Sequence, residues 1–135
     1  MSKIYLAGPF FNDSQRKEVE RIAKMLREDG HWVYVPMEHK IKDGESLPNK
    51  IWARKVFTDD CNAIREADKV IAIIYGMDDD AGTSWEIGYS YGIGKIVEVV
   101  LANGALNTYS LMILNSVTEF YDSNLNKMIT YPNMS

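Results

Sequence analysis

Two acidic residues, Asp80 and Glu86, stand six positions apart and carry the side chains best suited to chemistry in this chain. The apolar run at 70–75 predicts a buried strand that ends shortly before them. Ligands of open α/β sheets bind beyond the carboxyl ends of the strands, so both acids are expected at a ligand site. An ionised carboxylate beside a second acid suggests a nucleophile and a proton donor.

The ionisation state of Glu86 depends on where its helix begins. Thr83 and Ser84 are both good N-cap residues, and Gly82 before them allows a tight turn. A helix that starts there has Glu86 in its first turn, where the dipole favours an ionised carboxylate. In the alternative interpretation, Glu86 only satisfies the dipole and residues 78–80 form a solvated acidic loop. Spacing alone favours this alternative.

Tyr5 and Asp60 are two further polar residues that the predicted elements bring near Glu86. Tyr5 lies near the carboxyl end of the first strand, beside the strand that leads to Glu86, so its hydroxyl could orient that carboxylate. A core tyrosine is the commoner alternative. Asp60 falls on a helix between Phe57 and Ile64, where a carboxylate is costly unless it faces a polar cleft or a partner. A position facing solvent agrees equally well with the periodicity.

The elements that position these residues alternate between strand and helix. Such alternation predicts right-handed βαβ units and a parallel sheet covered on both faces. We therefore expect one flavodoxin-like α/β domain over residues 1–135, with a five-stranded, mainly parallel sheet in the order 2-1-3-4-5. The predicted strands are 3–7, 31–35, 70–75, 96–101 and 117–121, and the predicted helices are 13–28, 50–67, 84–92 and 110–114, the second with Trp52, Val56, Phe57 and Ile64 inward.

Composition and charge exclude several classes of protein. The chain has 135 residues, a net charge of -4 and a pI near 5.1, and the lack of a basic face argues against a nucleic-acid partner. No apolar run approaches the roughly 20 residues that span a bilayer, and no signal peptide precedes the first strand. The single cysteine, Cys61, fits a reducing cytoplasm and a buried place on an apolar helix face. We therefore expect a cytoplasmic protein without a membrane partner.

The sequence predicts neither a metal nor a cofactor. His31 and His39 are too few and too scattered for a zinc site. The acids at 78–80 could bind Mg²⁺, as in a phosphoacceptor domain of this fold. Such a domain also needs acids after its first strand, where this chain has Gly-Pro-Phe-Phe at 8–11. The Gly-Ile-Gly-Lys at 92–95 lacks the spacing of a phosphate loop and precedes a strand.

Several blocks of the sequence together resemble the nucleoside 2-deoxyribosyltransferase family. The resemblance covers nearly the whole chain, and only the tail at 122–135 is hard to place. Each block alone is weakly specific, whereas the set is specific. The blocks are Lys3-Ile4-Tyr5-Leu6-Ala7-Gly8-Pro9-Phe10-Phe11, Trp52-Ala53 followed by Phe57 and Asp60, Asp80 with Gly82-Thr83-Ser84-Trp85-Glu86-Ile87-Gly88, and Leu111-Met112-Ile113.

The resemblance implies a role for each expected site residue. It implies Glu86 as the nucleophile, Tyr5 as the residue that orients it, Asp80 at the base, and Asp60 near base and sugar. The residue types fit independently, because a retaining transfer at a sugar carbon needs one carboxylate to attack and one acid to protonate the leaving group. Substrate-binding positions are expected at Gly8, Phe10, Phe11, Gly82, Trp85, Ser110 and Met112, with the aromatic ones as candidate walls of the base pocket.

The sequence departs from the family pattern in two places. Where this chain has Ser110, the transferases usually have an asparagine that reaches into a neighbour's site and binds the 5′-hydroxyl. His39 and Lys40 stand where an amide side chain is typical in some members. Related 5′-monophosphate N-glycoside hydrolases have serine at the position of Ser110. They also tend to have serine in place of Asp80 and an arginine after the first strand, and this chain shares neither feature.

Three functions remain open. The favoured one is base exchange between 2′-deoxynucleosides through a covalent deoxyribosyl-Glu86 intermediate, with slow hydrolysis when no acceptor base is present. The second is hydrolysis of a 2′-deoxynucleoside 5′-monophosphate. The third is a non-catalytic nucleoside-binding module, which needs no nucleophile. The resemblance also implies a role in nucleotide salvage and a homo-oligomer, built from dimers and expected to be a hexamer.

Overall fold

The sheet contains five strands, all within the part of the chain that the computed structural model describes, residues 1–39, 44–76, 80–102 and 107–134. The strands are β1 (Lys3–Ala7), β2 (Trp32–Tyr34), β3 (Lys69–Ile74), β4 (Ile96–Leu101) and β5 (Glu119–Tyr121), and the helices are α1 (Asp13–Glu28), α2 (Asn49–Glu66), α3 (Ala81–Gly92) and α4 (Leu111–Asn115). The strand order is β2-β1-β3-β4-β5, and each pair of neighbours is parallel. The predicted flavodoxin-like class and the order 2-1-3-4-5 are confirmed.

Successive side chains of a strand point to opposite faces of the sheet. Both faces of this sheet carry apolar side chains, and helices cover each of them. One core layer lies under α1, whose buried residues pack against one set of strand side chains. The other layer lies under α2, α3 and α4 and includes Tyr5, Ile64, Ile87 and Ile113. Within the described ranges, no helix is long and apolar enough to cross a membrane.

The second helix, α2, packs on the sheet less extensively than its sequence pattern predicts. Ile64 and Cys61 are buried, as expected. Trp52 and Phe57 are 45% and 49% exposed, so their expected place in the core is wrong, and Val56 is half-buried. These three apolar side chains instead line a cavity. Helical periodicity identifies an apolar face, but it does not distinguish a core from an open pocket.

The ends of several elements also differ from the predictions. β2 and β5 are shorter than the apolar runs that predicted them, since pairing with a neighbour decides where a strand ends. The polar stretch at 37–49, expected to be a loop, overlaps single turns of 3-10 helix at Pro36–Glu38 and Gly44–Ser46. Lys40 and the acids at 78 and 79 lie outside the described residues.

The connection after β3 is held close to the segment that precedes α4. Gly76 has a φ of +91°, and a Cβ there would lie 2.9 Å from Cβ of Asn107. The side-chain amide of Asn107 donates a hydrogen bond to the carbonyl of Tyr75 at 2.8 Å. Only glycine fits both the backbone angle and the close approach, so the exit from β3 has a defined direction.

Candidate active site

Asp80 is the N-cap residue of α3. Its Oδ2 accepts hydrogen bonds from the backbone N–H of Thr83 at 2.8 Å and from the Thr83 hydroxyl at 2.9 Å. The expectation of an N-cap at Thr83 or Ser84 is therefore wrong, because the carboxylate of Asp80 binds a free N–H group of an earlier first turn. A Cβ on Gly82 would lie 3.1 Å from the same oxygen, so glycine leaves room for the cap.

Glu86 consequently lies in the second turn of α3. The helix dipole stabilises an ionised carboxylate much less there than in the first turn. The Tyr5 hydroxyl, from the neighbouring β1, donates a hydrogen bond to Oε2 of Glu86. Tyr5 is fully buried. Burial, with Glu86 and Asp60 nearby, raises the pKa of Tyr5 far above its ordinary value, so the phenol remains a hydrogen-bond donor.

The carboxyl of Glu86 has a pKa raised to about 7. Burial is the main cause, and the charges of Asp60 and Asp80 act in the same direction, while the hydrogen bond from Tyr5 opposes them. Protonated and ionised forms are both populated near neutral pH. A desolvated carboxylate whose orientation is set by a phenol is suited to attack an electrophilic carbon.

Asp60 projects from α2 into the same space. Burial and the neighbouring Asp59 raise its pKa to about 6. The charge of Asp60 contributes to the raised pKa values of Tyr5, Tyr34 and Glu86, so these groups share one electrostatic environment. Of the two positions that the sequence left open for Asp60, the structure has the one that faces the cleft.

The cleft above Glu86 is a cavity of about 460 Å³. Apolar and aromatic side chains form most of its walls, and Phe57 meets Trp85 with ring centroids 5.3 Å apart. Three of its lining residues in the described part of the chain are charged, and all three are acids. The volume suits a small aromatic ligand. The lining residues are Gly8, Pro9, Phe10, Phe11, Pro36, Trp52, Ala53, Val56, Phe57, Asp60, Cys61, Ile64, Asp80, Gly82, Trp85 and Glu86.

The structure brings most of the predicted site residues to this cavity, but not all of them. Tyr5 is not part of its lining and reaches the site through its bond to Glu86. Ser110 and Met112 are also absent from the lining, and Met112 is 73% exposed at the start of α4. Trp52, Val56 and Phe57 line the cavity, although the sequence pattern predicted them in the core. The signal in the sequence was the apolar face of this helix, which is equally typical of a core and of a pocket wall.

The sequence is similar to known nucleoside deoxyribosyltransferases. The family description Nucleoside 2-deoxyribosyltransferase matches residues 4–128. A nucleoside deoxyribosyltransferase of Lactobacillus leichmannii is 29% identical over 108 residues, which cover 73% of this chain and 69% of that protein.

Solved structures show the same likeness. A 2-deoxyribosyltransferase from Bacillus psychrosaccharolyticus superposes with a TM-score of 0.80 at 36% identity, over 98% of this chain and 97% of the other. A CMP N-glycosidase from Clostridium botulinum superposes with a TM-score of 0.54 at 24% identity, over 89% and 86% of the two chains, and shares the fold. The family match spans most of the sequence, so the chain belongs to the nucleoside 2-deoxyribosyltransferase family and is an enzyme of that class.

Proposed function

We propose that this enzyme exchanges the base of 2′-deoxynucleosides through a covalent deoxyribosyl-Glu86 ester. The observation that carries the proposal is the Glu86 carboxylate, held by the Tyr5 hydroxyl at the floor of a mainly apolar cavity. An apolar, aromatic-walled cavity of about 460 Å³ favours a flat heterocycle. A non-catalytic binding module would have no use for a half-buried carboxylate with this orientation.

In the first half-reaction, an Oε atom of Glu86 attacks C1′ of the deoxyribose while the N-glycosidic bond breaks. Asp80 begins this step protonated, with Oδ2 still accepting the bonds from Thr83, and gives its proton to the leaving base. In the second half-reaction, a nitrogen of the acceptor base attacks C1′ from the face that the first base left, opposite Glu86, so the C1′–Oε bond breaks and Glu86 is released, while the acceptor gives its proton to Asp80. Water in place of the acceptor gives slow hydrolysis. A 2-deoxy sugar suits this small polar set, because no electron-withdrawing 2′-hydroxyl opposes the oxocarbenium-like transition state.

Base exchange is tested by incubating the protein with deoxyinosine, with and without free adenine or cytosine, and separating the products by chromatography. We expect new deoxynucleosides when a free base is present and slow release of hypoxanthine alone when it is absent. Inosine is the matched control, and we expect it to react far more slowly because its electron-withdrawing 2′-hydroxyl opposes the oxocarbenium-like transition state. Equal rates on inosine and deoxyinosine would refute the deoxy preference.

The alternative, hydrolysis of a 2′-deoxynucleoside 5′-monophosphate, draws support from Ser110, which the related hydrolases share. The charges of the cavity argue against it. Among the described residues, the charged side chains that line it are Asp60, Asp80 and Glu86, and a phosphate would be repelled by all three. Arg16 is close to the site in sequence, but its guanidinium binds the carbonyl of Phe10 and the carboxylate of Asp13.

The pH dependence of base exchange should follow the Glu86 carboxylate. Because attack needs the ionised form and burial raises the pKa to about 7, the rate should fall as the pH drops through about 7. Asp60→Asn removes a charge that raises this pKa, so the acidic limb of kcat/KM should move to lower pH. Asp59→Asn is the matched control on the exposed neighbour, with a smaller shift. If the acidic limb of kcat/KM stays at the same pH in Asp60→Asn, the charge of Asp60 does not raise the pKa of Glu86 and this prediction is wrong.

We further propose that sites are completed across an interface in a homo-oligomer. Ser110 precedes α4, and Leu111 and Met112 are 50% and 73% exposed although both are apolar. None of the three lines its own chain's cavity. In an isologous dimer each copy would present this segment to the other's site, where Ser110 would bind the 5′-hydroxyl, directly or through a water.

Mixing two inactive variants tests the shared site. Glu86→Ala chains lack the nucleophile, and Ser110→Trp chains carry a disruptive segment. If each site combines both chains, every mixed dimer has one intact site, and random pairing should restore roughly a quarter of the sites. Each variant alone is the control. Full activity of a monomer in light scattering would show that each chain is self-sufficient.

A further inference from the structure

A column of three aromatic rings stands behind the nucleophile. Tyr5 and Tyr34 are direct partners in the register of β1 and β2, and their rings stack with centroids 5.5 Å apart and planes 13° apart. The ring of His39 stacks on Tyr34 at 4.0 Å and 6°. The Tyr5 hydroxyl donates a hydrogen bond to Glu86, so the column ends at the reacting carboxylate.

The position of His39 is set by a short tethered turn. The single 3-10 turn Pro36–Glu38 reverses the chain after β2, and the N–H of His39 bonds to the carbonyl of Pro36 at 3.0 Å. Arg27, in the last turn of α1, pairs with Glu38 at 2.7 Å and also donates to the carbonyl of Val33. The turn therefore returns His39 to the outer face of the Tyr34 ring.

The column also separates Tyr5 from a second opening on this edge of the sheet. β2 is an edge strand, and an opening of about 360 Å³ beside it is lined by Tyr34 and His39 but not by Tyr5. Tyr5 is fully buried, while Tyr34 is half-buried and His39 is exposed. Tyr34 thus lies between the Tyr5 ring and this opening.

We propose that Tyr34 and His39 are positioning residues, which fix the ring of Tyr5 so that its hydroxyl points at the Glu86 carboxylate. The inference rests on the proposed role of Glu86 as nucleophile. If the Tyr34 ring is removed, the face of the Tyr5 ring that it covers becomes free. The Tyr5 ring can then move, and its hydroxyl points at Glu86 for a smaller fraction of the time. The carboxylate then loses both its orientation and the bond that stabilises its ionised form.

The titration of Glu86 reports on this alignment. The groups that face Glu86 are Tyr5 from β1, Asp60 and Cys61 from α2, and Asp80 at the start of α3. Among the described residues that shift the pKa of Glu86, Tyr5 is the one that lowers it, through its hydrogen bond. Loosening Tyr5 should therefore raise the pKa of Glu86, whereas simple admission of water would lower it. The two outcomes have opposite signs.

The experiment follows the ¹³C NMR titration of the Glu86 carboxyl in the ligand-free protein, and the rate of glycosyl-enzyme formation. Tyr34→Leu removes the stack but keeps an apolar side chain, so burial is retained. We expect a higher midpoint and a rate roughly 3- to 10-fold lower, the usual coupling of an aromatic pair, with little change in KM. Tyr34→Phe keeps the stack and should behave as wild type.

Tyr5→Phe provides the second background. If Tyr34 acts through the Tyr5 hydroxyl, Tyr34→Leu should have no further effect on midpoint or rate once that hydroxyl is absent. An equal shift in both backgrounds, or no shift in either, would overturn the proposal. Should Tyr34→Leu not fold, His39→Ala at the exposed end of the column replaces it, with a smaller shift of the same sign expected and its absence counting against the column.

The two proposals fail separately. The NMR titration needs no turnover, so it decides the column even if no base is exchanged. Absence of base exchange by the wild-type protein would end the proposed function and leave the titration result standing. If the wild-type protein exchanges bases, and Tyr34→Leu leaves both the Glu86 midpoint and the rate unchanged, the positioning role of Tyr34 and His39 is refuted and the proposed function stands.

Discussion

Glu86→Ala should abolish base exchange while the protein remains folded. Removal of a nucleophile typically costs on the order of a million-fold in rate, because the covalent route is lost altogether. The fold should persist, since burial of this carboxylate opposes its ionised form and its side chain lies at a cavity rather than in the core. The measurement is the rate of deoxyinosine-to-deoxyadenosine conversion, with circular dichroism as the check on folding.

The covalent intermediate itself gives a second readout for Glu86. Intact-protein mass spectrometry of the wild type with a deoxynucleoside should show one deoxyribosyl adduct, and peptide mapping should place it on Glu86. Glu20→Ala, an exposed carboxylate on α1, is the matched control and should retain both adduct and activity. A Glu86→Ala protein with full activity would end this mechanism.

Asp80→Asn should lower the rate by roughly 100- to 10,000-fold, the usual contribution of general acid catalysis. The loss should be largest for bases that are poor leaving groups, because these depend most on protonation. Asparagine is as good an N-cap as aspartate, so the start of α3 and the bonds from Thr83 should survive. The measurement is a series of deoxynucleosides whose bases differ in leaving-group pKa, with kcat/KM plotted against that pKa.

The structural role of Asp80 requires its own control. Asp80→Ala removes both the acid and the cap, and loss of an N-cap costs about 1 kcal/mol of stability. A thermal melt should therefore separate Asp80→Ala from Asp80→Asn, while both show the catalytic loss. If Asp80→Asn slows all bases by the same factor, Asp80 is not the proton donor and acts as a cap and a pocket wall only.

The local sequence was informative about the elements and about the set of reactive residues. Apolar runs and helical spacing predicted the alternation that builds a parallel sheet, and the order 2-1-3-4-5, expected as one of the common orders for such a chain, is the order observed. The motif from Asp80 to Gly88 predicted an acid pair beyond β3, where a strand gives way to a helix. These features depend on residues near one another in the chain, so they can be recognised without the fold.

The start of α3 shows where local signals were insufficient. Asp80, Thr83 and Ser84 are all acceptable N-cap residues, and in the structure it is Asp80 whose side chain accepts the bond from the N–H of Thr83. That choice moves Glu86 from the first turn to the second. Its charge state is consequently governed by burial and by its partners rather than by the helix dipole.

Contacts between distant parts of the chain decided the rest. Tyr5 meets Glu86 only because β1 and β3 are neighbours in the sheet, and Tyr34 stacks on Tyr5 only because β2 pairs in that register. Near the end of α2, Ile64 packs in the core, whereas the apolar side chains of its earlier turns line the cavity. The sequence by itself determined the elements and the reactive residue types. The tertiary structure decided burial, pairing and pKa, because these depend on which elements pack together.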